Sequence, residues 1–155
     1  MGNSSLDPLK ERPSDPPRPP GELRLSRQHW EQMRSEVDRI APEEACGLVA
    51  GKNGRTHAIL SITNILHSPV RYRMAPQEQL EAFEWIDRQG LELLAIYHSH
   101  PDGPPVPSPT DIDEAYYPEA FYLIWSRHSG EWSCHAFLIH ASQVREVCIN
   151  LDEDL

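Results

Sequence analysis

His98 and His100 stand two positions apart with Ser99 between them, and Ser108 and Asp111 follow beyond the segment Pro101 to Pro107. In extended backbone, residues i and i+2 project to the same side, so both imidazoles can reach one point from the end of a strand. The intervening segment is long enough to double back, and its prolines reduce the entropy lost in fixing it. Asp111 then falls in the first turn of a helix and can return a carboxylate to that point. Two imidazoles and one carboxylate are three protein ligands, which leaves zinc an open tetrahedral position, as catalytic rather than structural sites do. Water whose pKa a metal has lowered to about 7 still needs a base to take its proton and pass it to a leaving amine. Glu43 and Glu44 are the upstream candidates. The alternation of the segment that follows favours Glu44, but spacing alone leaves the choice open. Ser108 can donate a hydrogen bond to the oxyanion formed when a carbonyl is attacked.

Each feature also has a plainer reading. His-x-His pairs are common on surfaces, and Ser108-Pro109-Thr110-Asp111 is a good capping box with proline at the first helical position. An acid ahead of an apolar strand is usually a solvated loop residue. The joint order and spacing of the three features weigh against reading each one separately.

The elements that must position these groups follow from periodicity. Ser26 caps a helix whose apolar positions Trp30, Met33, Val37 and Ile40 have helical spacing, and Pro42 stops it. Cys46 to Ala50 is an apolar strand ending at Gly51, Lys52-Asn53-Gly54 is a turn, and Arg55 to Ile62 is the return strand. Arg71 to Met74 reads as a short strand. Pro76 opens a second helix with Leu80, Phe83 and Ile86 or Trp85 inward, ended by Gly90. Leu91 to Tyr97 is a near-continuous apolar strand of the kind buried on both faces. A short helix follows from Pro109 to about Tyr116. Strands come next at Phe121 to Trp125, at Trp132 to Ile139 after a His128-Ser129-Gly130 hairpin, and at Val144 to Ile149. Two helices beside a set of mostly β segments make one α/β domain with a mixed sheet.

With 155 residues and 17.7 kDa there is room for one such domain, and none for a (β/α)8 barrel. Residues 1–22 are rich in proline and charge with little to bury, and read as a flexible tail; residues 23–150 form the domain, and the acidic stretch 151–155 is expected to fray. The formal charge of −10 makes phosphate backbones and anionic membranes poor partners. Three scattered cysteines without a Cys-x-x-Cys pair argue against a disulfide framework or a thiolate zinc site. No signal-peptide h-region or membrane-length apolar run is evident, so the cytoplasm is the expected compartment.

Glu44, then His98-Ser99-His100, seven residues, Ser108, two residues and Asp111 form a pattern that resembles the JAMM, or MPN+, zinc metalloprotease family, in its compact prokaryotic branch. Pro42 to Leu48, Tyr97 to Pro101 and Pro107 to Ile112 add to the likeness, which runs from about Leu23 to Ile149. The resemblance implies a mixed, strongly curved sheet flanked by helices, related to the cytidine-deaminase sandwich. It implies one Zn2+ per chain held by His98, His100 and Asp111, Glu44 as acid/base, and Ser108 stabilising the tetrahedral intermediate. The implied reaction is hydrolysis of the amide bond after the C-terminal Gly-Gly of a ubiquitin-like protein, in bacteria of the sulfur-carrier type. The segment Asn64 to Met74, with Arg71 and Arg73, would line the groove for that tail by strand-like hydrogen bonds. A catalytically silent MPN-type binding module is the alternative, but such members have usually lost ligands that this chain retains. A nucleoside deaminase would need His-x-Glu with Pro-Cys-x-x-Cys, which is absent.

Overall fold

The computed structural model describes residues 22–153, so the expected tail at 1–22 lies outside the described residues except for Glu22. Among the described residues, seven strands and three helices follow in the order β1 (Glu22–Ser26), α1 (Arg27–Ile40), β2 (Cys46–Lys52), β3 (Arg55–Ile62), α2 (Pro76–Arg88), β4 (Glu92–His100), α3 (Pro109–Asp113), β5 (Phe121–His128), β6 (Glu131–His140) and β7 (Gln143–Asp152). The sheet order is β1-β3-β2-β4-β5-β6-β7, with β1 joined in parallel to both β3 and β7. The expected curvature of the mixed sheet therefore proceeds to closure as a barrel, which leaves it no free edge.

β1 is a strand that periodicity did not single out, although Leu23 and Leu25 alternate and are fully buried. Its partner β7 corrects the expectation of fraying from 151: Leu151 and Asp152 pair with Leu25 and Ser26. Ser26 ends β1 and caps α1, its hydroxyl accepting from the Gln28 and His29 amides. Met33 and Val37 are the buried residues of α1, and Trp30 and Ile40 pack beside them. Hairpins β2–β3 and β5–β6 turn through paired positive φ angles at Asn53-Gly54 and Ser129-Gly130, the I′ geometry that matches strand twist. The β6–β7 turn uses positive φ at Ala141 and Ser142 instead, without glycine, and β7 accordingly starts one residue ahead of the expected Val144.

Two other expectations need correcting. Arg71 to Met74 is not a strand; that segment has a single isolated bridge, Asn64 to Met74, because Asn64 ties the surrounding loop into a compact turn. Leu80 does not face inward. The buried stripe of α2 is Ala82 and Ile86, one helical turn apart, which rotates Leu80 into solvent at 52% exposure. In addition, α3 is shorter than expected and ends at Asp113.

Alternation along the strands sorts the apolar side chains into two cores. One joins Met33 and Val37 of α1 to Leu23, Val49, Tyr97, Leu123 and Trp125; the other joins Ala82 and Ile86 of α2 to Leu48, Ile96, Ile124 and Phe137. On β4 the alternation sends Tyr97 and Ser99 to the first layer and Ile96, His98 and His100 to the second. The histidine pair thus continues the α2 face of the sheet. Every residue of β4 from Leu94 to His100 is buried.

Candidate metal centre

β4 runs three residues beyond the expected Tyr97, and this extension fixes the histidines. Between them, Ser99 accepts the Ala45 amide at 2.8 Å through its hydroxyl, while the Ser99 amide donates to the Ala45 carbonyl at 3.0 Å. This pair prolongs the β2–β4 ladder past Cys46, which stands opposite His98, and so brings the preceding residue, Glu44, beside the histidines. One ligand atom each from Glu44, His98 and His100 lie within 4.8 Å of one another. Glu43 points elsewhere and meets His67 at 3.2 Å on the surface.

Asp111 comes from the other side. Its Oδ2 lies 3.2 Å from His98 Nε2 and 3.1 Å from His100 Nε2, and the two Nε2 atoms are 3.1 Å apart. The same oxygen accepts the Ser108 amide at 2.8 Å, while the Ser108 hydroxyl accepts the Asp111 amide at 3.0 Å. The capping box is therefore real, and it is also what aims Asp111: both readings of Ser108-Pro109-Thr110-Asp111 hold at once. Between the histidines and α3, the loop 101–108 is pinned from below, since Ser126 on β5 donates to the Gly103 carbonyl at 3.0 Å.

The donor set fits a divalent cation. His100 Nδ1 lies 2.8 Å from the Pro104 carbonyl and donates to it, which leaves the Nε2 lone pair facing the other two atoms. Three lone-pair atoms drawn together at 3.1–3.2 Å repel unless protons or a cation lie among them. Their spacing is close to the edge of about 3.3 Å for a tetrahedron with zinc–ligand distances near 2.0 Å. Glu44 stands further out and does not belong to that triangle.

The electrostatics agree. Burial pushes the Glu44 carboxyl up to about 8, against the pull of His100; a cation in the centre would draw it back down. Burial also opposes ionisation of Asp111, but hydrogen bonds from His100 and His98 outweigh it and hold this carboxyl well below the usual range. Burial lowers His98. The same force on His100 is overcome by hydrogen bonds to Asp111 and the Pro104 carbonyl, so its pKa is raised.

Of the residues singled out in the sequence, Glu44, His98, His100, Ser108 and Asp111 meet at this centre. Arg71 and Arg73 do not; they lie exposed on the loop that follows Asn64. Three contributors carried no sequence signal. Tyr72 stacks on His98 with ring centroids 4.6 Å apart. Ser99 reads as a spacer between ligands, and Asn64 as an ordinary loop residue.

A closed mixed sheet with a His-His-Asp cluster at one strand end defines a single α/β domain built around a candidate metal centre. Across residues 26–139 the sequence matches the prokaryotic homologs of the JAB domain, and the chain belongs to that family. Among curated relatives, a "probable TtuB-protein conjugate cleaving protease" of Thermus thermophilus is 44% identical over 86 residues, 55% of this chain and 57% of that protein. The chain thus matches little more than half the length of that relative. The "CysO-cysteine peptidase" of Mycobacterium tuberculosis is 32% identical over 124 residues, 78% of this chain and 85% of the relative. The solution structure of protein DSY2949 from Desulfitobacterium hafniense superposes with a TM-score of 0.77 at 33% identity, covering 86% of this chain and 94% of that one. Among the described residues, no helix is long and apolar enough to cross a membrane.

Proposed function

We propose that this protein is a zinc-dependent metallopeptidase that hydrolyses the amide bond after the C-terminal Gly-Gly of a ubiquitin-like protein of the sulfur-carrier type. The observation that carries the reading is the near-equilateral triangle of His98 Nε2, His100 Nε2 and Asp111 Oδ2, with the buried Glu44 just outside it. His98, His100 and Asp111 would hold the ion. When bound, zinc supplies a Lewis acid that polarises a carbonyl and brings the pKa of water towards 7.

The remaining work falls to the protein's own side chains. Glu44 takes a proton from the attacking water onto its carboxylate and returns it to the nitrogen of the leaving amine. Its burial keeps bulk water from competing for that proton. The Ser108 hydroxyl accepts from the Asp111 amide and still has its own hydrogen to donate, which suits it to the oxyanion. Because the barrel leaves no strand edge free, an extended Gly-Gly tail would pair with the loop backbone at 65–73, with Arg71 and Arg73 facing the carrier. The names of the relatives support a carrier-type substrate: one is named a probable TtuB-protein conjugate cleaving protease, another a CysO-cysteine peptidase. The retained ligand set argues against a silent scaffold.

The test is cleavage of carrier-protein fusions extended past Gly-Gly, with products identified by mass. Cleavage should need about one zinc per chain and stop with chelator. Glu44→Gln should keep its metal and lose at least about a hundredfold in rate. A Glu44→Gln protein that had also lost its metal would contradict the base assignment, and no cleavage of any fusion by the zinc-loaded protein would overturn the substrate class.

A further inference from the structure

The two imidazoles are held in different ways. His100 is fixed by the Pro104 carbonyl at its far ring nitrogen, the usual arrangement for a metal-ligating histidine. His98 is more deeply buried, yet its Nδ1 has no hydrogen-bond partner among the described protein groups. What touches it instead is Tyr72. The two rings stack with centroids 4.6 Å apart and planes 26° from parallel, and the rings of His98 and His100 meet steeply inclined, with centroids 4.8 Å apart at 67°.

We propose that Tyr72 is a positioning residue for the metal centre, its ring holding the plane of His98 as the Pro104 carbonyl holds that of His100. The inference rests on the metallopeptidase reading above. Rotation about the Cβ–Cγ bond of His98 would swing Nε2 away from Asp111, and a flat ring against the imidazole face opposes that rotation. A stack constrains the plane without choosing a tautomer, so it can serve where no carbonyl is within reach. Tyr72 is itself placed by Asn64, which is buried and whose side chain makes four hydrogen bonds. Its Oδ1 accepts the Leu66 and Arg73 amides, and its Nδ2 donates to the Arg71 and Glu44 carbonyls. The residues on either side of Tyr72 are therefore anchored to the side chain that also holds Glu44.

The prediction separates the aromatic face from the hydroxyl. Tyr72→Phe keeps the face and should bind zinc within about twofold of wild type. Tyr72→Leu removes it and should weaken zinc binding about tenfold or more, the scale on which ligand-orienting partners act. Chelator competition measures the affinity, and the visible spectrum of the cobalt(II)-loaded protein reports ligand geometry independently of turnover. Tyr72→Leu should change that spectrum; Tyr72→Phe should not. If the leucine variant does not fold, Tyr72→Met takes its place. A non-aromatic variant with wild-type affinity and spectrum overturns the inference, and a rise in KM alone would assign Tyr72 to the substrate groove instead. A Tyr72→Phe protein as impaired as Tyr72→Leu overturns it too, since the hydroxyl would then carry the effect. Wild-type protein that takes up no metal is a separate result, seen before any variant is made, and it sinks the metallopeptidase reading itself.

Discussion

Two loops close over the candidate centre, and they are held by opposite means. Loop 101–108 is fixed at many points. It has prolines along its length, the Gly103 amide on the His100 carbonyl, Ser126 on the Gly103 carbonyl, the Pro104 carbonyl on His100, and the capping box at Ser108. Loop 65–73 depends far more on one residue, since Asn64 binds it near both ends and ties it to Glu44. Its other links are spread one to a residue pair: the Ile65 amide on the Arg73 carbonyl, the His67 amide on the Asn64 carbonyl, the Glu44 amide on the Ser68 carbonyl, the Val70 amide on the Ser68 hydroxyl and the exposed His67–Glu43 pair. Distributed support makes a loop tolerant of single substitutions. Concentrated support makes it vulnerable at one position.

The largest effect should therefore come from Asn64→Ala. It strands one buried carbonyl, that of Glu44, and a carbonyl and two amides that are partly buried, and a loss of about 2–3 kcal/mol is expected even if water enters. For a domain of this size that corresponds to a fall in Tm of roughly 5–10 °C. Thermal unfolding checks the stability, and hydrogen exchange at the Leu66 and Arg73 amides checks the location. A Tm within about 1 °C of wild type would mean that the loop has support beyond Asn64, and the contrast between the loops would fail.

The same contrast explains what could be read without a structure. Loop 101–108 was legible because its function is written as spacing: His-x-His, a proline-rich return and Ser-x-x-Asp fix where the side chains converge. Loop 65–73 was not, because the role of Asn64 depends on which carbonyls and amides the fold delivers to it, and Tyr72 meets His98 only through that fold. The strand expected at Arg71 to Met74 failed for the same reason, the local pattern being overridden by a side-chain hub. In the fold, the helices and central strands followed from capping residues, prolines and apolar periodicity. Barrel closure did not. It depends on β1, five residues whose pairing with β7 lies more than a hundred positions away in sequence. Leu80 shows a subtler limit: helical spacing identified a helix correctly, but Ala82 with Ile86, rather than Leu80, forms the buried face that joins the second core.

On the well-supported loop, Ser108→Ala should cost only about 1 kcal/mol, the ordinary value of a helix cap. The Ser108 amide is backbone, so its bond to Asp111 Oδ2 survives, and metal binding should fall by no more than a few-fold. Turnover is the sharper reading. If the hydroxyl also serves the oxyanion, kcat should drop by about a hundredfold or more with little change in stability. Equal, small losses in both would reduce Ser108 to a cap.

Ser126→Ala should have the smallest effect, and its smallness is informative. Ser126 sits on β5 opposite His100 and reaches up to the Gly103 carbonyl, so it joins His100 in tying this loop to the sheet by a side chain. Losing one such bond costs about 1 kcal/mol when the carbonyl can turn to water. Gly103 is close to His100, where an added Cβ would lie 3.1 Å from the His100 Cβ, so any slackening of the loop is transmitted to that imidazole. The Pro104 carbonyl and the prolines should absorb it, keeping zinc affinity within about threefold of wild type by chelator competition, well inside the range that loss of an orienting partner produces. A tenfold loss would instead show that the loop hangs from Ser126 as loop 65–73 hangs from Asn64, and the two sides of the centre would then share one design.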